Sequence, residues 1–230
     1  MLVEITINNV DIKDETGILP LNRHIVNAEI ITDDEWADEW IEPIIGRQRH
    51  KYSYVSCDFL VEDQGDIEKK ISKLLKLSSK AEVGFNDTKI KRKGYISSHE
   101  KKSIAKGACI IKIEWKCGLG YSDEEIIAVN DEDTIILPST ADTPVVISII
   151  PDTNISELTI AGFGEDIILK NLTEGIEIII DGEKGLVTEE GQNKFKDYQS
   201  WGFPKLVPGE NKITISSDIN ITAIYSPRWL

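Results

Sequence analysis

The segment IEIIIDGEKGLV, residues 176–187, sets the turn dipeptide Asp181-Gly182 between two apolar runs. An Asp-Gly pair between such runs is a strong signal for a β-hairpin. Further short apolar runs recur about every 8–12 residues through the second half of the chain, which is typical of an antiparallel β-sandwich. Other turn pairs lie at Pro151-Asp152 and Pro208-Gly209. The sequence therefore predicts an all-β sandwich over residues 133–230, without a helix.

Residues 1–132 show a different pattern and predict a β-rich domain with one helix. The helix is expected at residues 66–79, where apolar side chains recur at helical spacing behind Asp66 as the N-cap. Pro138 and Pro144, among small polar residues, are typical of an entry into a second domain. Strands are expected at 50–63, 81–85, 89–97 and 104–117, with His99 in a turn between the last two. The predicted fold class is mainly β.

Two stretches carry large apolar side chains in unusual places. The segment TDDEWADEWIEPIIGRQRHKY, residues 32–52, holds Trp36 and Trp40 among acidic residues. It predicts an extended loop that approaches a partner or packs against a neighbour. Tryptophan is enriched at interfaces because it joins a large apolar surface to a polar N–H group.

The other stretch is the C-terminal ITAIYSPRWL, residues 221–230. Its alternation predicts a strand that closes one sheet of the sandwich, and Pro227 ends the pairing because proline has no backbone N–H group. We expect Trp229 and Leu230 to fold back over apolar surface. Arg228 is expected to pair with a carboxylate.

The charge of the chain argues against several function classes. The net charge is −14, and residues 131–230 hold 7 basic against 17 acidic residues. Proteins that bind nucleic acid through a basic surface neutralise phosphates with lysine and arginine, so this class is disfavoured. No apolar run is long enough for a membrane helix, and the first residues alternate and carry acids, which does not predict a signal peptide.

Residues for catalysis or metal binding form no recognisable arrangement. His24, His50 and His99 lack metal-ligand spacing, and no nucleophile, base or phosphate-loop motif is present. The three cysteines, at positions 57, 109 and 117, are odd in number and predict buried, reduced thiols. Asp181 is expected to be a turn residue of the hairpin and not a ligand of a calcium ion. The sequence thus predicts no enzyme, no cofactor and no metal.

Trp201, in DYQSWGFPKLVPGEN, allows two interpretations. Sandwich domains that bind sugars stack an exposed tryptophan on the sugar ring, so Trp201 could mark a carbohydrate site. Alternatively, Trp201 and Phe203 together plug the end of the sandwich.

The last hundred residues resemble the C-terminal, galectin-like sandwich of siphophage distal tail proteins, also called tail component or baseplate hub proteins. The motifs that carry the resemblance follow one another in the family's order: IDGE at 180–183, FPKLVPGENKI at 203–213 and YSPRWL at 225–230. Residues 1–132 fit the family's β-rich ring-forming domain more loosely. They supply its single helix and a long loop before the strand KYSYVSCDFLV.

The resemblance implies a structural protein of the phage tail tip, made in the cytoplasm of a bacterial host. Six copies would form a ring that joins the tail tube protein to a tail-tip protein and carries receptor-binding proteins. DNA would pass through the ring without specific binding, and no membrane would be involved. Docking residues are expected among Trp36, Trp40, Trp201, Arg228 and Trp229. Two alternatives stay open: a carbohydrate-binding sandwich protein that uses Trp201, and a component of a contractile, tailocin-type particle.

Overall fold

A computed structural model describes residues 4–35 and 44–230 of the chain. The chain forms two compact units, one of residues 1–121 together with Leu230 and one of residues 122–229. The division falls at 121/122 instead of 132/133 because the strand Glu125–Val129 pairs along its whole length with Ile221–Tyr225 in the second unit.

The first unit is a sheet with two helices. Its strands are β1 (Ile5–Ile7), β2 (Val10–Asp11), β3 (Leu19–Val26), β4 (Ile30–Glu35), β5 (Ile44–His50), β6 (Ser53–Glu62), β7 (Lys80–Phe85), β8 (Arg92–Ala105), β9 (Ala108–Cys117) and β10 (Gly120–Tyr121), and its helices are α1 (Ile12–Thr16) and α2 (Ile67–Ser78). Seven strands form an antiparallel sheet in the order β2-β1-β7-β8-β9-β6-β3.

The helix predicted at 66–79 is α2, and its cap explains where it starts. The Asp66 carboxylate accepts a hydrogen bond from the Lys69 backbone N–H at 3.1 Å, which satisfies one of the free donors of the first turn. Ile71 and Leu74 of α2 are buried in the same core as Phe59 and Trp115 of the sheet. The indole N–H of Trp115 donates to the Ser78 carbonyl at 2.9 Å and so satisfies an acceptor in the last turn of α2.

Three expectations for the first unit are corrected. The short helix α1 was not predicted; Asp11 caps it and Gly17, with φ of 63°, ends it. The stretch expected as a loop instead forms the antiparallel strands β4 and β5 on either side of residues 36–43. His99 lies in the middle of β8 and not in a turn, because β8 continues to Ala105 before a two-residue turn leads into β9.

The second unit is a two-sheet antiparallel sandwich. Its strands are β11 (Glu125–Val129), β12 (Glu132–Leu137), β13 (Thr143–Ile149), β14 (Ile155–Ala161), β15 (Ile167–Leu172), β16 (Ile178–Asp181), β17 (Leu186–Glu189), β18 (Gln192–Asn193), β19 (Tyr198–Gln199), β20 (Lys205–Leu206), β21 (Gly209–Ile215), β22 (Ile221–Tyr225) and β23 (Arg228–Trp229). One sheet has the order β11-β22-β13-β16-β17-β18, with β20 beside β13, and the other has the order β12-β21-β14-β15-β19. Inward residues of both sheets form one apolar core. This confirms the predicted fold class, and the two-sheet form is consistent with a galectin-like sandwich.

The predicted hairpin at Asp181-Gly182 joins β16 to β17. The Asp181 carboxylate accepts from the backbone N–H groups of Glu183 and Lys184 at 3.0 and 2.8 Å, so the side chain itself shapes the turn. Gly182 is required by a close approach: a Cβ there would lie 2.2 Å from the Pro204 carbonyl oxygen. The one helical turn in this unit, a 3-10 helix at Phe195–Asp197, was not predicted.

Candidate interaction surfaces

The first unit exposes an unpaired strand edge. β8 pairs with β7 only over Arg92–Tyr95, whereas its pairing with β9 continues to Ala105. Within residues 4–35 and 44–230, no strand pairs with the other side of Ser97–Ala105. An open edge of this length offers a row of N–H and C=O groups to another strand. We call Ser97–Ala105 the β8 edge.

Sequence reasoning missed the β8 edge because its residues, SSHEKKS, resemble a turn. Every residue from Ser97 to Ala105 is exposed. Charged side chains, lysine especially, are a common protection of sheet edges against unwanted pairing. That composition, next to the strongly alternating β9, was the available signal for an edge strand.

Beyond β7 the sheet consists of four strands in the order β8-β9-β6-β3, and one face lies away from the core. Residues opposite one another across this face are in register, for example Asp58 with Lys112 and Lys112 with Glu100. On β6, β8 and β9 the charged members of this face are four carboxylates and three ammonium groups: Asp58, Glu62, Glu100, Glu114, Lys102, Lys112 and Lys116. The two signs alternate, so the face is close to neutral overall.

The second unit presents Trp201 at the tip of a loop. Trp201 is 99% exposed, whereas Phe203 packs against the sandwich core. The interpretation that both residues plug the sandwich is therefore wrong for Trp201. Tyr198 is buried, and its ring stacks on that of Phe203 with centroids 5.5 Å apart. Burial of Tyr198 raises the pKa of its hydroxyl, so that group stays protonated and acts as a donor at neutral pH.

Two hydrogen bonds fix the loop between the stacked rings. The Tyr198 hydroxyl donates to the Gly202 carbonyl at 2.5 Å, and the Gly202 N–H donates to the Ser200 hydroxyl at 3.4 Å. Trp201 is therefore held outward by a loop with anchored ends. It borders an open cleft that is otherwise lined by Gly164, Glu165, Asp166, Ile168, Gln199 and Ser200.

Arg228 attaches the C-terminal segment to the sandwich and pairs with a carboxylate, as expected. Its guanidinium Nη2 lies 2.7 Å from Glu183 Oε1, and its backbone N–H donates to the Thr143 hydroxyl at 3.0 Å. Trp229 is half-buried, with its indole nitrogen 3.5 Å from the Ser122 hydroxyl. The preceding strand β22 was expected to close one sheet of the sandwich. It lies instead inside that sheet, between β11 and β13.

Trp36 and Trp40 lie outside the described residues, so their expected role in docking stays a prediction. The candidate residues that are described all belong to the second unit, where Arg228 and Trp229 share the C-terminal segment and Trp201 occupies a different loop.

The described residues were also searched for groups that could bind a metal or act as nucleophiles. In the ranges 4–35 and 44–230, no cluster of three or more His, Cys, Asp and Glu side chains could hold a metal ion. Cys57, Cys109 and Cys117 are free and buried, as predicted. Burial, with a smaller contribution from Asp58, raises the pKa of the Cys57 thiol to about 12, which makes it a poor nucleophile at neutral pH. None of the described helices has the length and apolar character to cross a membrane.

Comparison with known protein families gives a match in the second unit. Residues 138–229 match the model of the siphovirus-type tail component, C-terminal domain. None of the curated proteins matches the chain in sequence.

Solved structures extend the likeness to the whole chain. The Dit protein of phage SPP1, described as a paradigm of the hub adsorption apparatus in phages that infect Gram-positive bacteria, has the same fold with a TM-score of 0.79, 13% identity and full coverage of both chains. A chain of the phage P2 baseplate in its activated, calcium-bound conformation matches with a TM-score of 0.55, 8% identity and 98% coverage of both chains.

The family match covers the sandwich, and the shared fold covers the first unit as well. The sequence motifs that carried the resemblance, from residue 180 to residue 230, lie almost wholly within the matched range. Residues 138–229 thus match the siphovirus-type tail component family, which confirms the resemblance to siphophage distal tail proteins, and the chain as a whole shares the fold of the SPP1 Dit protein.

Proposed function

We propose that this protein is the distal tail hub of a siphophage, a homo-hexameric ring that joins the tail tube to the tail tip and carries receptor-binding proteins. The observation that carries the proposal is the β8 edge, Ser97–Ala105, which lacks a partner strand among the described residues. An edge of this length offers backbone groups that a neighbouring copy in a ring can pair with, and its charged side chains would guard it against other strands.

The four-stranded part of the sheet has a different open edge on each flank. β8 lies on one flank and β3, which pairs only with β6 among the described strands, lies on the other. Joining the β8 edge of one copy to the β3 edge of the next is a heterologous contact, and repeated heterologous contacts generate a ring when the rotation closes. The sheet would then run continuously around the assembly.

The dimensions of such a ring fit a conduit. At about 4.8 Å between neighbouring strands, six four-stranded sheets extend roughly 115 Å around the ring and give a barrel roughly 37 Å across at the backbone. Side chains narrow this lumen by about 10 Å. The remaining opening admits a DNA duplex, which a ring of two or three copies would not.

The face of the sheet opposite the core would line this lumen, since α2 covers the other face. Its charged groups, such as Asp58, Lys112 and Glu100, alternate in sign across the strands. Because tight association with DNA requires net neutralisation of phosphates, a face of balanced charge lets DNA pass without trapping it.

The sandwich would hold receptor-binding proteins, while the first unit would contact the tail tube protein and a tail-tip protein. Support comes from the two named structures, one described as a hub adsorption apparatus and the other as part of a baseplate. A structural role of this kind needs no catalytic group, in keeping with the high pKa of the Cys57 thiol. The same contacts would also serve a contractile, tailocin-type particle.

Sedimentation of two proline variants tests the joint. Adjacent residues of a strand direct their backbone groups to opposite sides, so one of His99→Pro and Glu100→Pro removes an N–H group from the free side of β8 and the other removes one that faces β9. The variant that keeps the wild-type melting temperature identifies the free side. We expect it to sediment as a monomer while the wild type sediments as a hexamer, and a hexamer from that variant would refute the β8 joint.

A further inference from the structure

Trp201 is exposed to an extent that the packing of the sandwich does not explain. Its side chain is 99% exposed, although the neighbouring aromatic residues Phe195, Tyr198 and Phe203 contact one another ring to ring. An indole left in water forgoes a favourable burial of roughly 2 kcal/mol or more. Phe203, in the same stretch of chain, packs against the core, whereas the outward Trp201 side chain stays available to a ligand.

The loop is prepared for binding before any ligand arrives. The stack of Tyr198 on Phe203 fixes both ends of the loop, and the Tyr198 hydroxyl fixes its Gly202 carbonyl. A side chain presented by an anchored loop loses little conformational freedom on binding, which favours affinity. This arrangement is that of a preformed platform and not of a loose surface residue.

Beside the platform stand polar groups with free hydrogen-bonding capacity. The cleft next to Trp201 is lined by Glu165, Asp166 and Gln199. Both carboxylates are exposed, and neither forms a hydrogen bond or ion pair with any other described residue. Carboxylates accept strong hydrogen bonds from hydroxyl groups, and the Gln199 amide can both donate and accept.

We infer that Trp201 and the adjoining cleft form a binding site for neutral saccharides. A pyranose ring has an apolar face of C–H groups that stacks on an indole, and hydroxyl groups at its rim that suit Glu165, Asp166 and Gln199. This site goes beyond the hub function and does not depend on ring formation, because all of its residues lie in the second unit.

Charge and desolvation argue against the other ligands that stack on tryptophan. Residues 131–230 hold 7 basic against 17 acidic residues, so phosphates of nucleic acids and anionic polysaccharides are repelled. A protein partner that buried Trp201 would also have to strip water from two unpaired carboxylates, which is unfavourable unless each gains a charged partner. Sugar hydroxyls satisfy those carboxylates without burying them fully.

A fluorine NMR titration of the full chain tests the site. With 5-fluorotryptophan in all five tryptophan positions, the resonance that Trp201→Phe removes is assigned to Trp201. The ligands are maltotriose, cellotriose and N,N′,N″-triacetylchitotriose, with a trigalacturonate as the anionic counterpart. Because Trp201 is exposed, the variant keeps the wild-type melting temperature, which is measured as the control for folding.

We expect at least one neutral trisaccharide to shift the Trp201 resonance with a Kd of about 1 mM or tighter, and trigalacturonate to leave it unmoved. The double variant Glu165→Gln, Asp166→Asn should bind at least about 5-fold more weakly, since a neutral amide accepts weaker hydrogen bonds. Ile136→Ala, which removes another exposed apolar side chain of the same unit, should bind like the wild type. No shift with any neutral trisaccharide at about 10 mM, or a shift only with a receptor-binding protein, would overturn the inference, and the second result would assign the platform to protein docking.

Discussion

The ring of Tyr198 lies nearly parallel to that of Phe203, with centroids 5.5 Å apart and an angle of 13° between the planes. The stack closes the loop that carries Trp201 and attaches it to the sandwich core. Core and surface roles are thus divided between aromatic residues only a few positions apart. Phe203 contributes to the packing, and Trp201 faces solvent.

Removing the stack should destabilise the sandwich, whereas removing Trp201 should not. We expect Phe203→Ala to lower the free energy of unfolding by about 2 kcal/mol, because the half-buried ring loses its contacts. Tyr198→Phe should cost about 1 kcal/mol through loss of the hydrogen bond to the Gly202 carbonyl. Trp201→Ala should stay within about 0.5 kcal/mol of the wild type. Urea denaturation measures all three, and a large loss for Trp201→Ala would show that the indole packs against the fold.

The C-terminal segment should contribute to stability through its backbone more than through its ion pair. Arg228→Ala removes the contact with Glu183, whose side chain is largely exposed, and should cost no more than about 1 kcal/mol. Truncation after Ser226 removes the buried Pro227, the backbone bonds of Arg228 to Thr140, Ala141 and Thr143, and the half-buried Trp229. Several such losses should together cost about 3 kcal/mol. A truncated chain with the wild-type melting temperature would contradict this.

Asp181 should behave as a structural carboxylate of the hairpin turn. Although burial opposes its ionisation, hydrogen bonds from the Lys184 side chain and from the backbone of Lys184 and Glu183 lower its pKa. A lowered folded pKa stabilises the fold above the unfolded value of 3.8, and this contribution is lost as the pH falls through the folded pKa. Asp181→Ala should lower the free energy of unfolding by about 1–2 kcal/mol at pH 7. The free energy of unfolding of the variant should also fall less steeply than that of the wild type as the pH is lowered. If the stability of the variant depends on pH as steeply as that of the wild type, this role for Asp181 is excluded.

The buried thiols should weaken the fold in alkali. Burial is the main cause that raises the pKa of Cys57 to about 12 and that of Cys117 to about 11, from the ordinary thiol value of 9.0. Because the unfolded chain ionises first, stability is fully present below about pH 9 and is lost as the pH rises toward the folded values. Cys57→Ala should reduce the loss of unfolding free energy between about pH 9 and pH 10.5. Rapid labelling of the native protein by iodoacetamide at pH 8 would contradict the buried, protonated thiols.

Local patterns predicted much of the fold. The N-cap of α2 at Asp66, the hairpin at Asp181 and the sandwich itself follow from turn chemistry and alternation, which depend on neighbours in sequence. Patterns of this kind did not reveal that β8 continues through SSHEKKS, since its extension is stabilised by pairing with β9 and not by its own composition.

The interaction residues show the same limit. An arginine near the C-terminus of an acidic domain predicted an ion pair, but only the tertiary fold selects Glu183 as its partner. For Trp201 the sequence left exposure and burial open, because Tyr198 and Phe203 flank it with equally large rings. Which of these aromatic residues faces outward is decided by the loop geometry, which sequence does not specify.

The central claim, a ring of six copies, is tested most directly by native mass spectrometry of the purified chain over a concentration series, with negative-stain images of the same samples. The account predicts a species of six times the 25.8 kDa chain mass and six-fold rings with a central hole. A monomer at every concentration, or a dimer closed by a two-fold axis, would contradict it.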